Sequence, residues 1–196
     1  MAQLMALPAE LRQRIFTFVD SPTKLITINI AQSCIHRLEP HGCSSLAALS
    51  LTSRTIHFEV EDQLYAHRTF EIEVVSSESI LKLWRKNFAA DMRFVQRMRR
   101  VRLGLTINTG SAKLARTVEG LAEVVGGLAG SEALVEFAVH VREVMHFAEP
   151  TKYVNEQIDG LRREAVREGR MVGRSGKEVE LDFAWRLVAF LQRYLG

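Results

Sequence analysis

Hydrophobic and polar positions change period several times along this 196-residue chain, and each change marks an expected element. Leu11, Ile15, Phe18 and Val19 recur at helical spacing, with Arg12, Gln13 and Arg14 on the other side. Pro8 suits the first turn of that helix, and Glu10 lies near the positive end of its dipole. Phe16 adds an apolar residue outside the stripe, so the helix needs two surfaces to pack on, its own domain and a partner. The β-branched run Leu25, Ile26, Ile28 and Ile30 predicts a short strand. Ser44 or Ser45 then offers an N-cap to one long helical stretch lined by Leu46, Leu49, Ile56, Val60 and Leu64.

Further on, Phe70, Ile72 and Val74 alternate with Glu71 and Glu73, the period of a strand with one buried face. A helix striped by Ile80, Leu81, Trp84, Phe88, Met92 and Val95 follows. Val101, Leu103 and Leu105 give a second alternating strand, and Val135, Phe137, Val139 and Val141 a third. Between these two, Leu114, Val118, Leu121 and Val125 predict a helix stopped by Gly126, Gly127 and Gly130. Strands separated by helices imply crossovers and a largely parallel sheet. The spacing loosely resembles leucine-rich repeats, but no repeated consensus accompanies it, so no solenoid is expected. After Pro150 the chain predicts a charged helix over 153–168 with a thin stripe of Val154, Ile158, Leu161 and Ala165. A glycine-rich basic turn follows, then a strand or hairpin at Val179 and Leu181, and an apolar docking helix over 183–195.

The opening residues Leu7-Pro8-Ala9-Glu10-Leu11, followed by Ile15, Phe16, Phe18 and Val19, resemble the first helix of an F-box. The resemblance resumes at Leu49-Ser50-Leu51-Thr52-Ser53-Arg54-Thr55-Ile56. From 59–65 into Thr69-Phe70-Glu71-Ile72 the chain looks like the short F-box-like proteins of filamentous fungi. It implies an α+β fold, with F-box-like helices over 1–66 carrying an insertion at about 20–44. A small strand-helix-strand α/β part with a C-terminal docking helix would fill 67–196 and bind a target or act as scaffold. It also implies a Skp-type adaptor as partner, met by Leu7, Pro8, Leu11, Ile15, Phe16, Val19, Leu49 and Leu51. The expected role is then a non-enzymatic substrate adaptor of a cullin–RING, SCF-type ubiquitin ligase, with an unknown protein as target. The same apolar residues could instead close this protein's own core.

Composition narrows the setting. Apolar residues make up 47% and charged residues 25%, ordinary for a soluble globular chain. There is no apolar run of about 20 residues for a membrane span and no secretory pattern at the start. Two cysteines are too few for a disulfide framework, which predicts a reducing, cytoplasmic or nuclear setting.

Charge is distributed unevenly. The net charge is only +3, yet Lys82, Arg85, Lys86, Arg93, Arg97, Arg99, Arg100 and Arg102 face the single acid Asp91 within one short stretch. Such a field can attract an acidic surface or a phosphate backbone, which makes a basic nucleic-acid or acidic-surface binder the alternative function. Without an aromatic beside Arg100 and Arg102, only weak and nonspecific nucleic-acid binding is expected.

Little else suggests chemistry. Cys34, His36, His41 and Cys43 have the mirror spacing of a tetrahedral zinc set, but a plain loop is the expected state, with no metal and no cofactor. His140 and His146 near Glu143 are expected to be structural. No strand-to-helix serine turn and no phosphate-binding glycine loop is present, so no catalytic residue is expected.

Overall fold

The computed structural model describes residues 2–19, 25–29, 48–49, 51–75, 96–108, 111–145 and 151–195. Over these the chain forms helices α1 (Ala2–Met5) and α2 (Ala9–Val19), strand β1 (Leu25–Asn29), helix α3 (Arg54–His67), and strands β2 (Thr69–Val75) and β3 (Arg100–Asn108). Helix α4 (Ser111–Ala129), strand β4 (Glu136–Met145) and helices α5 (Thr151–Val172) and α6 (Gly176–Leu195) complete it. The fold is α+β and mostly helical. Among the described residues no helix is long and apolar enough to cross a membrane.

The four strands form one parallel sheet in chain order, β1-β2-β3-β4. Alternation dictates its faces. Phe70, Val101 and Phe137 lie in one cross-strand row, and Ile72, Leu103 and Val139 in the next; all six are buried. Thr69, Arg100 and Glu136, then Glu71, Arg102 and Ala138, form the rows of the opposite face. β1 belongs to the segment expected as an insertion in the helical module, yet it pairs with β2. The N-terminal part therefore contributes a strand to the sheet.

A bulge sits where the register moves from Leu105–Val141 to Thr106–Glu143, leaving Arg142 as the extra residue. The bulge sends Arg142 across β3, and its Nη2 donates to Glu71 Oε1 on β2 at 2.6 Å. Gly104 lies beneath that crossing. A Cβ on Gly104 would stand 3.2 Å from Arg142 Nε, so a glycine gives the guanidinium its path.

Helices α4 and α6 pack side by side over the apolar face, and α5 packs on α6. Leu114, Val118, Leu121 and Val125 of α4 are buried, as are Phe183, Leu187, Val188 and Leu191 of α6. From α5, Val154, Ile158 and Ala165 join the same core. The helix periods of the sequence thus lead into one continuous cluster with the sheet.

Three boundaries differ from the sequence expectation. Val179 and Leu181 lie in α6, because Ser175 and Glu178 form a capping box: Ser175 N–H donates to Glu178 Oε2 at 2.8 Å, and Glu178 N–H donates to Ser175 Oγ at 3.3 Å. Gly126 and Gly127 lie inside α4, which ends at Ala129 before Gly130. The place of a Gly126 Cβ is 4.0 Å from Trp185 of α6, so the helix is held by its neighbour. The stretch expected as one helix through Leu49 and Ile56 is broken at Leu51, and α3 starts anew with Ser53 Oγ accepting from Ile56 N–H at 3.2 Å. The expected cap at Ser44 or Ser45 and the helix over 80–95 lie outside the described residues.

Candidate protein-interaction site

The N-terminal helices form a second, much smaller core. Phe16 of α2 packs with Ile56 and Val60 of α3, and Leu4, Val19, Leu49 and Leu64 close around them. The inward side of α2 is Arg12, Phe16 and Val19, spaced i, i+4 and i+7. Arg12 can face inward because Glu59 of α3 answers it: Nε donates to Oε2 at 2.8 Å and Nη2 to Oε1 at 2.5 Å. A third nitrogen, Nη1, donates to the Leu7 carbonyl at the entry to the helix. This fork holds α2 against α3 and draws the Glu59 carboxyl below its ordinary range, the Arg12 hydrogen bond being the main cause.

That orientation corrects two sequence expectations. Phe16 is fully buried in the chain's own core, so it is not part of an open partner surface. Phe18, read as part of the helix's apolar stripe, is 92% exposed. Of the other residues expected to meet a partner, Pro8, Leu11 and Leu51 are exposed, Leu51 to 88%. Leu7, Ile15, Val19 and Leu49 are half-buried. Met5 and Phe58 are also exposed, and neither belonged to a motif or stripe legible in the sequence. The Ser53 hydroxyl lies 3.8 Å from Met5 sulfur, which ties α1 to the start of α3.

The basic stretch is less uniform than its sequence. Lys82, Arg85, Lys86 and Arg93 lie outside the described residues. Arg97 is neutralised by α3: it donates to Glu61 Oε2 at 2.9 Å and Asp62 Oδ1 at 2.7 Å, and its guanidinium lies 4.4 Å over the Tyr65 ring. Arg100 donates to the His67 carbonyl and stands 3.6 Å from Glu136. Arg99 and Arg102 are exposed. Cys34, His36, His41 and Cys43 lie outside the described residues, as does His146, while His140 is exposed on the polar sheet face. Among the described residues no group of three His, Cys, Asp or Glu side chains is placed to hold a metal ion.

No family model, no curated protein and no solved structure matches this chain.

Proposed function

We propose that this chain is a non-enzymatic protein-interaction module whose N-terminal helices dock an α-helical partner of the Skp type. In that reading it is an F-box-like adaptor of a cullin–RING ubiquitin ligase, working in the cytoplasm or nucleus, with the sheet part presenting the target. The observation that supports it is the set of large apolar side chains left open around a very small core. Phe18 and Leu51 are almost wholly in water, and Leu11, Met5 and Phe58 are each at least two-fifths exposed. Burying a Phe or Leu side chain stabilises by about 1.5–3 kcal/mol, so covering Phe18 and Leu51 alone is a substantial driving force. The Arg12–Glu59 fork supplies the preorganisation, since it keeps α2 fixed while Phe18 projects outward.

The test is titration of a purified Skp-type adaptor with the intact chain by calorimetry. A complex is expected, and Phe18→Asp with Leu51→Asp should abolish it while leaving the circular dichroism unchanged. Absence of association by the intact chain, or equal association by the folded double variant, overturns the reading.

A further inference from the structure

Thr17 is exposed on α2, one residue before Phe18. Its hydroxyl donates to the Gln13 carbonyl at 2.9 Å and accepts from Gln63 Nε2 of α3 at 2.8 Å. Arg14 and Arg12 stand three and five residues before it. No other serine or threonine of the chain has arginines at both of those places. The helix keeps the two arginines apart. Arg12 turns inward to Glu59, while Arg14 is exposed and makes no ion pair among the described residues.

An extended chain sorts the same residues differently. Successive side chains alternate, so Arg12, Arg14, Phe16 and Phe18 share one side and Thr17 stands on the other. The two arginines are then about 6.6 Å apart along the backbone, a spacing that a groove lined by carboxylates can grip from one side. Phe18 adds an apolar anchor on that same side, and the Thr17 hydroxyl faces away, toward whatever the groove holds opposite. Local opening of α2 is within reach. The helix belongs to the small cluster of Phe16, Ile56 and Val60, apart from the large core on the sheet. Its 11 residues are too few to be stable alone, so it opens when that one cluster lets go.

We infer that Thr17 is a phosphorylation site for an arginine-directed protein kinase, which takes α2 in its opened form. Thr17 Oγ1 attacks the γ-phosphorus of magnesium-bound ATP; the O–P bond forms, the bond to the β-phosphate oxygen breaks, ADP leaves and the hydroxyl proton passes to the kinase's base. The Arg12–Glu59 fork then governs access, because Arg12 is free for the kinase only when Glu59 has released it. Once made, the phosphate disfavours closure. It brings about −1.5 to −2 of charge into the last turn of α2, at the negative end of the helix dipole. The donor to the Gln13 carbonyl is lost, and Glu59 lies one turn from Gln63 on the α3 face that meets α2. Arg14, one turn back, is the cation available to answer it. The same charge stands beside Phe18, so the phosphorylated chain should not dock its partner; that consequence alone rests on the adaptor reading.

The experiment treats the full chain with magnesium, ATP and a purified kinase that requires arginines three and five residues before its acceptor. Tandem mass spectrometry is expected to place the phosphate on Thr17, and Thr17→Val should remove it. Arg14→Gln changes an exposed side chain without a partner and should slow the transfer about tenfold or more, through the lost charge-assisted contact. Glu59→Gln should speed it severalfold by releasing Arg12, an effect that a site used in the closed helix would not show. Hydrogen exchange at the Phe16 amide should be about tenfold faster in the phosphorylated chain than in the unmodified one. No phosphate on Thr17, an equal rate with Arg14→Gln, no gain with Glu59→Gln, or unchanged Phe16 exchange would each overturn the inference. None of these measurements involves the adaptor, so they stand or fall apart from the docking reading.

Discussion

Two glycines of α5 should respond oppositely to the same substitution. Gly160 has no atom within 4 Å of the place its Cβ would take. Alanine there meets nothing and removes backbone freedom from the unfolded chain, so Gly160→Ala should stabilise by about 0.5–1 kcal/mol. Gly169 is buried against α6, and a Cβ on it would stand 2.2 Å from Val179 Cγ2, 3.5 Å from Cβ and 3.7 Å from Cγ1. Val179 is β-branched and stiff at χ1, so it has little room to turn aside and the helices must part. Overpacking of that kind costs about 1–3 kcal/mol, which the helix-propensity gain of about 1 kcal/mol only partly offsets. Gly169→Ala should therefore lower stability by about 0–2 kcal/mol net, about 1 kcal/mol at the centre of that range. In urea unfolding, with a slope of about 2–3 kcal/mol/M, this moves the midpoint down by roughly half a molar. Val179→Ala should relieve the overlap, giving a coupling of about 1 kcal/mol or more in a double-mutant cycle. A Gly169→Ala midpoint at or above that of Gly160→Ala, or a coupling near zero, would refute the packing argument.

Glu180→Ala should leave the Val139 N–H buried without its acceptor, a loss of about 1–3 kcal/mol in chemical denaturation. Glu59 predicts a pH dependence. Its folded pKa is below the unfolded value of about 4.3, so the unfolded state binds more protons and stability rises with pH through that window. The contribution is fully present above the unfolded value and lost as pH falls through the folded one. Glu59→Gln should flatten the acid limb of a stability–pH curve and leave the slope above pH of about 5 unchanged; an unaltered acid limb rules the pair out.

The sheet was the most legible part of the sequence. Strict alternation in Phe70-Glu71-Ile72 and Val101-Arg102-Leu103 has one buried solution, and a slip of one residue would put Glu71 and Arg102 among the apolar side chains. Helix starts were less legible. The Leu49-to-Ile56 spacing is seven residues, two helical turns, so a continuous stripe runs straight across the break before Ser53. Val179 and Leu181 alternate like a strand, but two residues are too few to outweigh the reciprocal cap of Ser175 and Glu178 immediately before them. Gly126 and Gly127 signal a stop locally, and only the packing of α4 against α6 carries the helix past them.

The candidate sites were hidden for a common reason. Periodicity treats every arginine as a surface residue, but two Arg–Glu pairs here connect elements far apart in sequence, Arg12 with Glu59 and Arg142 with Glu71, and a third, Arg162 with Glu180, joins the consecutive helices α5 and α6. Each pair lets a charged side chain cross or enter a position that spacing alone assigns elsewhere. In α2 the consequence is direct. Once Glu59 neutralises Arg12, the helix can turn Arg12 and Phe16 inward, and that rotation carries Phe18 out into water. At β4 the Arg162–Glu180 pair takes up the N–H and carbonyl of Val139. The exposed face of α2 is therefore set by a long-range ion pair. Exchanging Arg12 and Glu59 for apolar residues of similar size should keep α2 and α3 packed while freeing the helix from one fixed rotation. If the fork orients α2, that exchange should increase the protection of Phe18 from solvent; unchanged exposure would place the orientation in the Phe16 contact alone.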